Sequence, residues 1–264
     1  MKRTLILAAI VLCTAPLVAQ KKVVESFRPA KPLIIDGNMS DWETDWLMDS
    51  KGRFNYNIAN DDEFLYYRIK MVDEMTQRKV GLFGLSVLLN PSGKKVGKMG
   101  IKFPMGLTPD EVKAIKHDDG PPTEASMIQL NKDLIKDAEA LELIGLAKEH
   151  IVSSRLGLMN GIQVIIVADD KGDYFYEGKI PFKAFKMKRA DIKLLGVTFQ
   201  TGRLVNTGAN AQAAASSGPP MGGFGGNGYG GGYGGATRMS GPTGYVPYSE
   251  FQAATTVSLG VELK

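Results

Sequence analysis

The residues best suited to binding chemistry are Trp42 and Trp46, the two tryptophans of the chain. They follow a short apolar run and an Asp36-Gly37 turn signal, and an aspartate stands next to each of them. A large indole either packs in a core or offers a platform to a flat ligand. We predict that Trp42 packs against the sheet that follows and that Trp46 is the exposed platform. The alternative is that both are packing residues.

Catalytic residues are not recognisable in the sequence. His117 and His150 are far apart and lack the spacing of metal ligands, so we interpret both as surface residues. A nucleophile motif of the G-x-S-x-G type is absent. Glycoside hydrolysis needs two facing carboxylates, and Glu177, the nearest candidate, stands in no catalytic motif. We therefore predict a chain with no catalytic residues that is not an enzyme.

A metal site has one candidate location, the acidic turn at Asp61 and Asp62. Carboxylate oxygens on a tight loop are ligands that calcium prefers, so a structural calcium on these residues is one interpretation. The other is ordinary turn chemistry, because aspartate favours turns by hydrogen bonding to its own backbone. The turn at 169–173 has the same two interpretations, and neither stretch fits the D-x-D-x-D-G calcium loop.

The first residues of the chain predict export. Lys2 and Arg3 precede an apolar run, and small residues close it at Ala19. This pattern is typical of a secretory signal peptide at 1–19, and we expect a location in the periplasm, on the outer-membrane surface or outside the cell. The run is too short for a permanent membrane span, so no transmembrane anchor should remain after cleavage. A membrane anchor is the alternative.

Charge and cysteine content exclude other classes of protein. Removal of Lys2 and Arg3 lowers the formal charge of +4 by two, so a nucleic-acid partner is not expected. The single cysteine, Cys13, lies within the predicted signal peptide. The mature chain would then have no disulfide, no thiolate metal site and no cysteine nucleophile.

The elements that must position these residues are strands. Residues 53–59 and 63–73 alternate apolar and polar side chains around the turn at 60–62, which predicts an antiparallel hairpin. A strand is also predicted at 33–35, entering the fold before Gly37. Helical spacing begins at Thr108 and at Met127, and a helical turn follows Pro181. Further strands are predicted at 23–28, 84–89, 98–105, 140–145, 162–168 (the most clearly buried), 174–180, 194–201 and 253–263.

A glycine-rich tract interrupts this pattern at about 206–245. Its composition cannot offset the entropy of ordering it, so we predict a disordered insertion between two strands. The alternative is a Gly/Tyr tract that self-associates or contacts a surface. Many strands, few helices and regular turns predict a mainly β fold, an antiparallel, jelly-roll-like β-sandwich, as a single domain over 20–264.

Six motifs in a fixed order resemble a known family. In chain order they are Ile35-Asp36-Gly37, Trp42, the hairpin around Asp61-Asp62-Glu63-Phe64-Leu65-Tyr66, GIKFP, Glu177-Gly178-Lys179-Ile180-Pro181 and LLGVTFQTGR. Together they resemble the family 9 carbohydrate-binding module and its secreted bacterial β-sandwich relatives. The resemblance covers most of 23–264 outside the glycine-rich tract. It implies that Asp36, Gly37, Trp42, Glu177 and Pro181 are structural motif residues.

The resemblance also implies a sugar-binding function, often beside glycoside hydrolases in carbohydrate catabolism. The partner would be a glycan or cell-surface polysaccharide, and relatives carry a structural calcium. The candidate carbohydrate-binding residues are Trp46, Tyr56, Tyr66, Arg68 and Tyr176, although tyrosines on strands are also typical of core or cross-strand pairs. The alternative function is a structural or assembly module of the cell envelope that binds protein partners.

Overall fold

The fold consists of strands and a few short helices. The computed structural model describes residues 22–49, 51, 53–93, 96–108, 111–112, 123–145, 151–153, 160–204 and 248–264. The strands are β1 (Val23–Glu25), β2 (Leu47–Met48), β3 (Asn55–Asn60), β4 (Phe64–Met71), β5 (Leu85–Asn90), β6 (Met99–Lys102), β7 (Ala140–Ile144), β8 (Ile151–Ser153), β9 (Gln163–Ala168), β10 (Tyr174–Pro181), β11 (Leu195–Thr201) and β12 (Thr256–Glu262). The helices are α1 (Glu74–Phe83), α2 (Glu124–Ile135) and α3 (Tyr248–Gln252), and 3₁₀ turns lie at Met39–Asp41, Phe182–Phe185 and Arg189–Asp191.

Within the described residues the strands form two sheets. One has seven strands in the order β1-β12-β11-β5-β6-β7-β8, and the other has five in the order β2-β3-β4-β10-β9. Every pairing is antiparallel except that of β1 with β12. The predicted hairpins β3–β4 and β9–β10 and the pairing of β5 with β6 are confirmed. The mainly β, antiparallel sandwich architecture is confirmed with them.

The core lies between the two sheets. In β4 every second side chain enters it, namely Leu65, Tyr67, Ile69 and Met71. Tyr67 lies 6.3 Å from Phe199 of the seven-stranded sheet, measured between ring centroids, so aromatic rings join the two layers. The period of two that predicts the strands thus places one face of each sheet in the core and leaves the other face outside.

Helix α1 is an element that the sequence did not predict. It connects β4 of one sheet with β5 of the other. Its N-terminus is capped by Asp73, whose side chain accepts a hydrogen bond from Thr76 N at 2.8 Å. Arg78 and Lys79 are buried in this helix, 4% and 6% exposed. Because long charged side chains bury their aliphatic parts, the buried face of α1 carries no apolar periodicity to recognise.

Two strand predictions need correction. Residues 33–35 do not form a strand, because this segment lies across the face of the five-stranded sheet rather than along a sheet edge. The N–H groups of Ile34 and Asp36 therefore bond to the side chains of Asp41 and Glu177. The second correction concerns β9, which is an edge strand in which Ile166 alone is buried.

Several predictions fall outside the described residues. These are the signal peptide at 1–19, most of the helix beginning at Thr108, both histidines and the glycine-rich tract at 206–245. The strands on either side of the tract, β11 and β12, are antiparallel neighbours, so the tract does connect two paired strands. None of the helices in the described part of the chain has the length and apolar composition needed to cross a membrane.

Candidate functional site

The outer face of the five-stranded sheet carries a row of polar residues in register. Asn57 of β3 is paired with Arg68 of β4, and Arg68 is paired with Glu177 of β10. Ile165 of β9 completes the row next to Glu177. These positions alternate with core residues, so their side chains project away from the core. We call Asn57, Arg68 and Glu177 the polar row.

A segment of the chain itself, residues 33–46, covers the polar row, and we call it the strap. Its main attachment is Glu177: Trp42 donates its indole N–H to Oε1 at 2.7 Å, and the backbone N–H groups of Asp36 and Gly37 donate to Oε2 at 3.2 and 3.1 Å. Gly37 has a φ of +84°, and a Cβ there would lie 3.0 Å from Val167 Cγ1. The Asp-Gly turn is therefore required both by the backbone and by the space available.

Trp42 packs against its neighbours in this structure. Its side chain is buried, and its ring packs edge-on against Phe27 at 5.7 Å between centroids. It belongs to a small apolar cluster on the outer face of the sheet, separate from the main core. The buried members of this cluster are Leu33, Trp42, Ala59 and Tyr66. Burial of an indole in such a cluster stabilises the strap by several kcal/mol, at about 25 cal/mol per Å² of apolar surface.

Arg68 lies between the five-stranded sheet and the strap and forms hydrogen bonds with both. Its Nε donates to Asn57 Oδ1 at 2.9 Å, and its terminal nitrogens donate to the carbonyl oxygens of Met39 at 3.1 Å and Thr44 at 2.5 Å. The side chain is 3% exposed. The planar guanidinium is thus fixed by bonds to both the sheet and the strap.

The guanidinium of Arg68 also contacts both indoles. Its central carbon lies 5.1 Å from the ring centroid of Trp42 and 4.0 Å from that of Trp46. Burial lowers the pKa of Arg68 to about 10, while Asp41 and Glu177 act in the opposite direction. This pKa is well above neutrality, so the cation persists at pH 7.

Trp46 is half-buried, with the guanidinium of Arg68 against its ring. The backbone beside it is fixed, since Asn57 donates from Nδ2 to the carbonyl oxygen of Asp45 at 2.6 Å. Two exposed acids, Glu43 and Asp45, lie close to it in the strap. We call the indole of Trp46, supported by Arg68, the Trp46 shelf. The shelf is a rigid aromatic surface with polar groups next to it.

Glu177 is a structural carboxylate. Burial raises its pKa above the ordinary value of 4.5, against the opposing effect of the hydrogen bonds from Trp42 and Gly37. The charge of Asp41 raises it further. Both oxygens of Glu177 accept hydrogen bonds from the strap. Through these hydrogen bonds Glu177 connects β10 with the strap.

The three tyrosines predicted for sugar binding lie inside the protein. Tyr56 and Tyr176 belong to the main core and have no exposed surface, and the ring of Tyr176 stacks on Tyr67 at 5.9 Å. Tyr66 is equally buried, in the outer cluster, and its hydroxyl donates to Asp61 Oδ2 at 2.8 Å. In this fold they act as packing residues, the alternative that strand tyrosines left open, and only Trp46 and Arg68 of the predicted set meet at the shelf.

Asp61 and Asp62 perform turn chemistry. Asp61 Oδ1 accepts from the backbone N–H groups of Glu63 and Phe64 at 2.8 and 2.7 Å. Asp62 forms a bidentate pair with Arg28 at 3.0 and 2.7 Å. Their oxygens thus have protein partners, and the described residues contain no group of three or more His, Cys, Asp or Glu that would hold a metal ion. The site does not fit the structural calcium that the sequence left open.

Pro181 ends β10 and begins a 3₁₀ turn at Phe182–Phe185, as the sequence predicts. It is paired with Phe64 at the start of β4. The next residue, Phe182, donates its N–H to the carbonyl oxygen of Glu63 at 2.9 Å. Proline suits this position because its φ of −67° matches the entry into a turn.

The sequence analysis missed the specific role of Asn57, which bonds both Arg68 and the strap. The sequence does contain the pattern that predicts this contact. Once the turn at 60–62 defines the hairpin, the register places Asn57 opposite Arg68 on the polar face. No comparable local pattern in the sequence predicts which residues the strap contacts.

Similarity to known proteins is found among solved structures. No family model matches the chain, and no curated protein matches it either. Among solved structures, the chain is similar to a family 9 carbohydrate-binding module from Caldicellulosiruptor kristjanssonii in complex with glucose. The match has a TM-score of 0.38 and 10% sequence identity, and it covers 92% of this chain and 96% of that one. The matched structure belongs to the family that the sequence motifs resemble.

Proposed function

We propose that this chain is an exported, non-catalytic β-sandwich that binds carbohydrate on the Trp46 shelf. The observation that carries the proposal is the half-buried indole of Trp46, seated 4.0 Å from the guanidinium of Arg68. The C–H face of a sugar ring is apolar and its hydroxyls are polar. An aromatic surface with a few polar groups beside it therefore suits both parts of such a ligand.

Rigidity of the shelf favours binding. Arg68 donates hydrogen bonds to Asn57, Met39 and Thr44, so the surface under Trp46 is fixed before a ligand arrives. A ligand that meets an ordered platform does not have to offset the entropy of ordering it.

The biological setting of the proposal comes from the sequence. The signal-like pattern at 1–19 supports export to the periplasm, the outer-membrane surface or the medium. The family resemblance supports a glycan or cell-surface polysaccharide as the partner, in carbohydrate catabolism beside glycoside hydrolases.

The test is binding of purified protein to a panel of soluble oligosaccharides and polysaccharides by titration calorimetry and affinity electrophoresis. We expect at least one member to bind, and Trp46→Ala to weaken that binding by about tenfold or more, since a central aromatic contact contributes about 2 kcal/mol. Tryptophan fluorescence and circular dichroism verify that the variant is folded.

Phe175→Ala is the matched control. Phe175 is another half-buried aromatic residue projecting from the outer side of the same sheet, with Lys70 at 5.0 Å from its ring centroid. It lies in the next row of the sheet, opposite Lys70 rather than Arg68. We expect this variant to bind as wild type does. Absence of binding to every glycan, or equal binding by the Trp46→Ala variant, would refute the proposal.

Exposed apolar side chains favour a second candidate, a cell-envelope module that binds a protein. Ile34 is 66% exposed and Met48 is 59% exposed, one in the strap and one in the edge strand β2. An Ile34→Asp/Met48→Asp double variant tests this candidate. It is supported if wild type binds no glycan and captures an envelope protein that the double variant does not.

A further inference from the structure

The strap and the residues that flank it are strongly acidic. Residues 32–49 include Asp36, Asp41, Glu43, Asp45 and Asp49, and they contain no lysine or arginine. The shelf therefore lies within a segment that has one sign of charge, although the whole chain carries a formal charge of +4. The distribution of charge around the shelf, rather than the total, decides what a ligand experiences.

The acids of residues 32–49 divide into those that accept hydrogen bonds, Asp41 among them through the backbone N–H of Ile34, and those that accept none. Asp49 accepts from the backbone N–H groups of Arg53 and Phe54, and Asp36 from that of Asn38. Glu43 and Asp45 are exposed. Within the described part of the chain, neither of their carboxylates has an ion pair or a hydrogen bond, and Asp45 lies within electrostatic range of the buried guanidinium of Arg68. These two groups, on either side of Thr44 and next to Trp46, are the charges that a ligand on the shelf would meet.

The positive charge of Arg68 is shielded from the solvent, and an exposed cation near this end of the strap is Lys22, whose Nζ donates to the carbonyl oxygen of Met48 at 3.0 Å. Arg68 is 3% exposed, lies under Trp46, and has Asp41, Glu177 and Asp45 within electrostatic range. The next outward cation along β4, Lys70, is paired with Asp173 at 3.4 Å. Glu43 and Asp45 are thus the exposed acidic groups of the strap nearest to the shelf in the chain.

We propose that the Trp46 shelf selects glycans by charge, binding sugars with protonated amino groups most tightly and neutral sugars less tightly, and rejecting sugars that carry carboxylate, sulfate or phosphate groups. The inference rests on the proposed function of the shelf. Exposed carboxylates attract an ammonium group and repel an anion, and the two free acids act in the same direction.

The test uses three oligosaccharides of equal length with one β-1,4-linked gluco backbone: a neutral glucose oligomer, its glucosamine counterpart and its glucuronate counterpart. Titrations are made in low salt at a pH of about 5.5, which favours the ammonium form of the glucosamine oligomer. We expect the amino oligomer to bind about three- to tenfold more tightly than the neutral one, and the uronate to bind more weakly by a similar factor.

Removal of the two exposed carboxylates, Glu43 and Asp45, is the decisive experiment. In a Glu43→Gln/Asp45→Asn double variant the three affinities should converge to within about twofold, and high salt should have the same effect on wild type. Asp170→Asn, which removes an exposed acid in the β9–β10 turn, should leave the order unchanged.

The outcomes distinguish this inference from the proposed function. Equal affinity of wild type for the three oligomers, or tightest binding of the uronate, overturns charge selection and leaves sugar binding intact. Failure of all three to bind also overturns it, while the wider glycan panel with Trp46→Ala decides the proposed function separately.

Discussion

At the scale of single residues, one carboxylate joins parts of the sequence that lie far apart. Glu177 accepts hydrogen bonds from Trp42, Asp36 and Gly37, which stand 135 to 141 positions earlier. The Asp-Gly turn, the tryptophan and the glutamate were recognised as separate motifs. The structure shows that they form one hydrogen-bonded unit, which explains why they occur together in one chain.

Replacing Glu177 with glutamine should weaken this unit. Glutamine has one carbonyl oxygen and one NH₂ group, so either the indole N–H or the two backbone N–H groups would face a donor. We expect the free energy of unfolding to fall by about 1–3 kcal/mol, measured by urea denaturation. The control Glu63→Gln changes an exposed acid in the β3–β4 turn and should stay within about 0.5 kcal/mol of wild type. Equal stability of the Glu177→Gln chain and wild type would contradict the assignment.

Residue-level prediction from the sequence succeeded where a turn defines the register. The packing role of Trp42 and the structural role of Glu177 were anticipated, and the pairing of Asn57 with Arg68 follows from the hairpin turn. The exposure of tyrosines was harder to judge. Tyr66 lies on the outer side of β4 and is nevertheless fully buried, because the strap covers it.

At the scale of elements, period-two hydrophobicity identifies the strands that have one face in the core. It identifies β3, β4 and β10 well, because their inward and outward residues differ in polarity. It fails for α1, where Arg78 and Lys79 are buried, and it misjudges β9, where apolar residues occupy a partly exposed edge. Sequence composition predicts the burial of a strand less well when other segments of the chain pack over it. Here α2 and the strap both pack against β9.

The cap of α1 provides a prediction at this scale. The carboxylate of Asp73 accepts from both the N–H and the hydroxyl of Thr76. Asp73→Ala should lower the free energy of unfolding by about 1 kcal/mol, whereas Asp73→Asn, which keeps a capping oxygen, should retain most of it. Urea denaturation followed by far-ultraviolet circular dichroism measures both. An asparagine variant as unstable as the alanine variant would show that the cap is not what the helix requires.

At the scale of the whole molecule, a buried polar junction ties the two sheets together. Asn60 at the end of β3 accepts from the Ser26 hydroxyl at 2.6 Å and from Lys264 N at 3.0 Å, and donates to Lys264 O at 2.7 Å. Asn60 is fully buried, and Phe27 continues the connection by bonding to the backbone of β3. The segments after β1 and after β12 therefore reach the five-stranded sheet at one point.

Asn60→Ala should loosen this junction. It removes the side-chain donor to the carbonyl oxygen of Lys264 and one of the two acceptors of the Lys264 N–H, which keeps Ser26 Oγ. We therefore expect a loss of about 1–3 kcal/mol in the free energy of unfolding. Hydrogen exchange should accelerate first at the amides of Phe27 and Lys264, before the amides of β4 and β10. Uniform acceleration across both sheets would show that the junction does not act locally.

Architecture at this scale was predictable because it follows from the number and spacing of strands and turns. The path of the strap was not, because its attachment depends on Glu177 and Arg68, which come later in the chain. A sequence pattern reports what a segment prefers locally. It does not report which distant side chain completes its hydrogen bonds.

The strap also separates two tasks within one molecule. The shelf residues near Thr44 belong to a segment outside the strand ladders, while the ladders themselves are built by β3, β4, β10 and β9. Substitutions at Glu43 or Asp45 therefore alter no backbone pairing. Natural variation or directed evolution at these positions would be expected to change ligand preference freely, with the scaffold beneath left as it is.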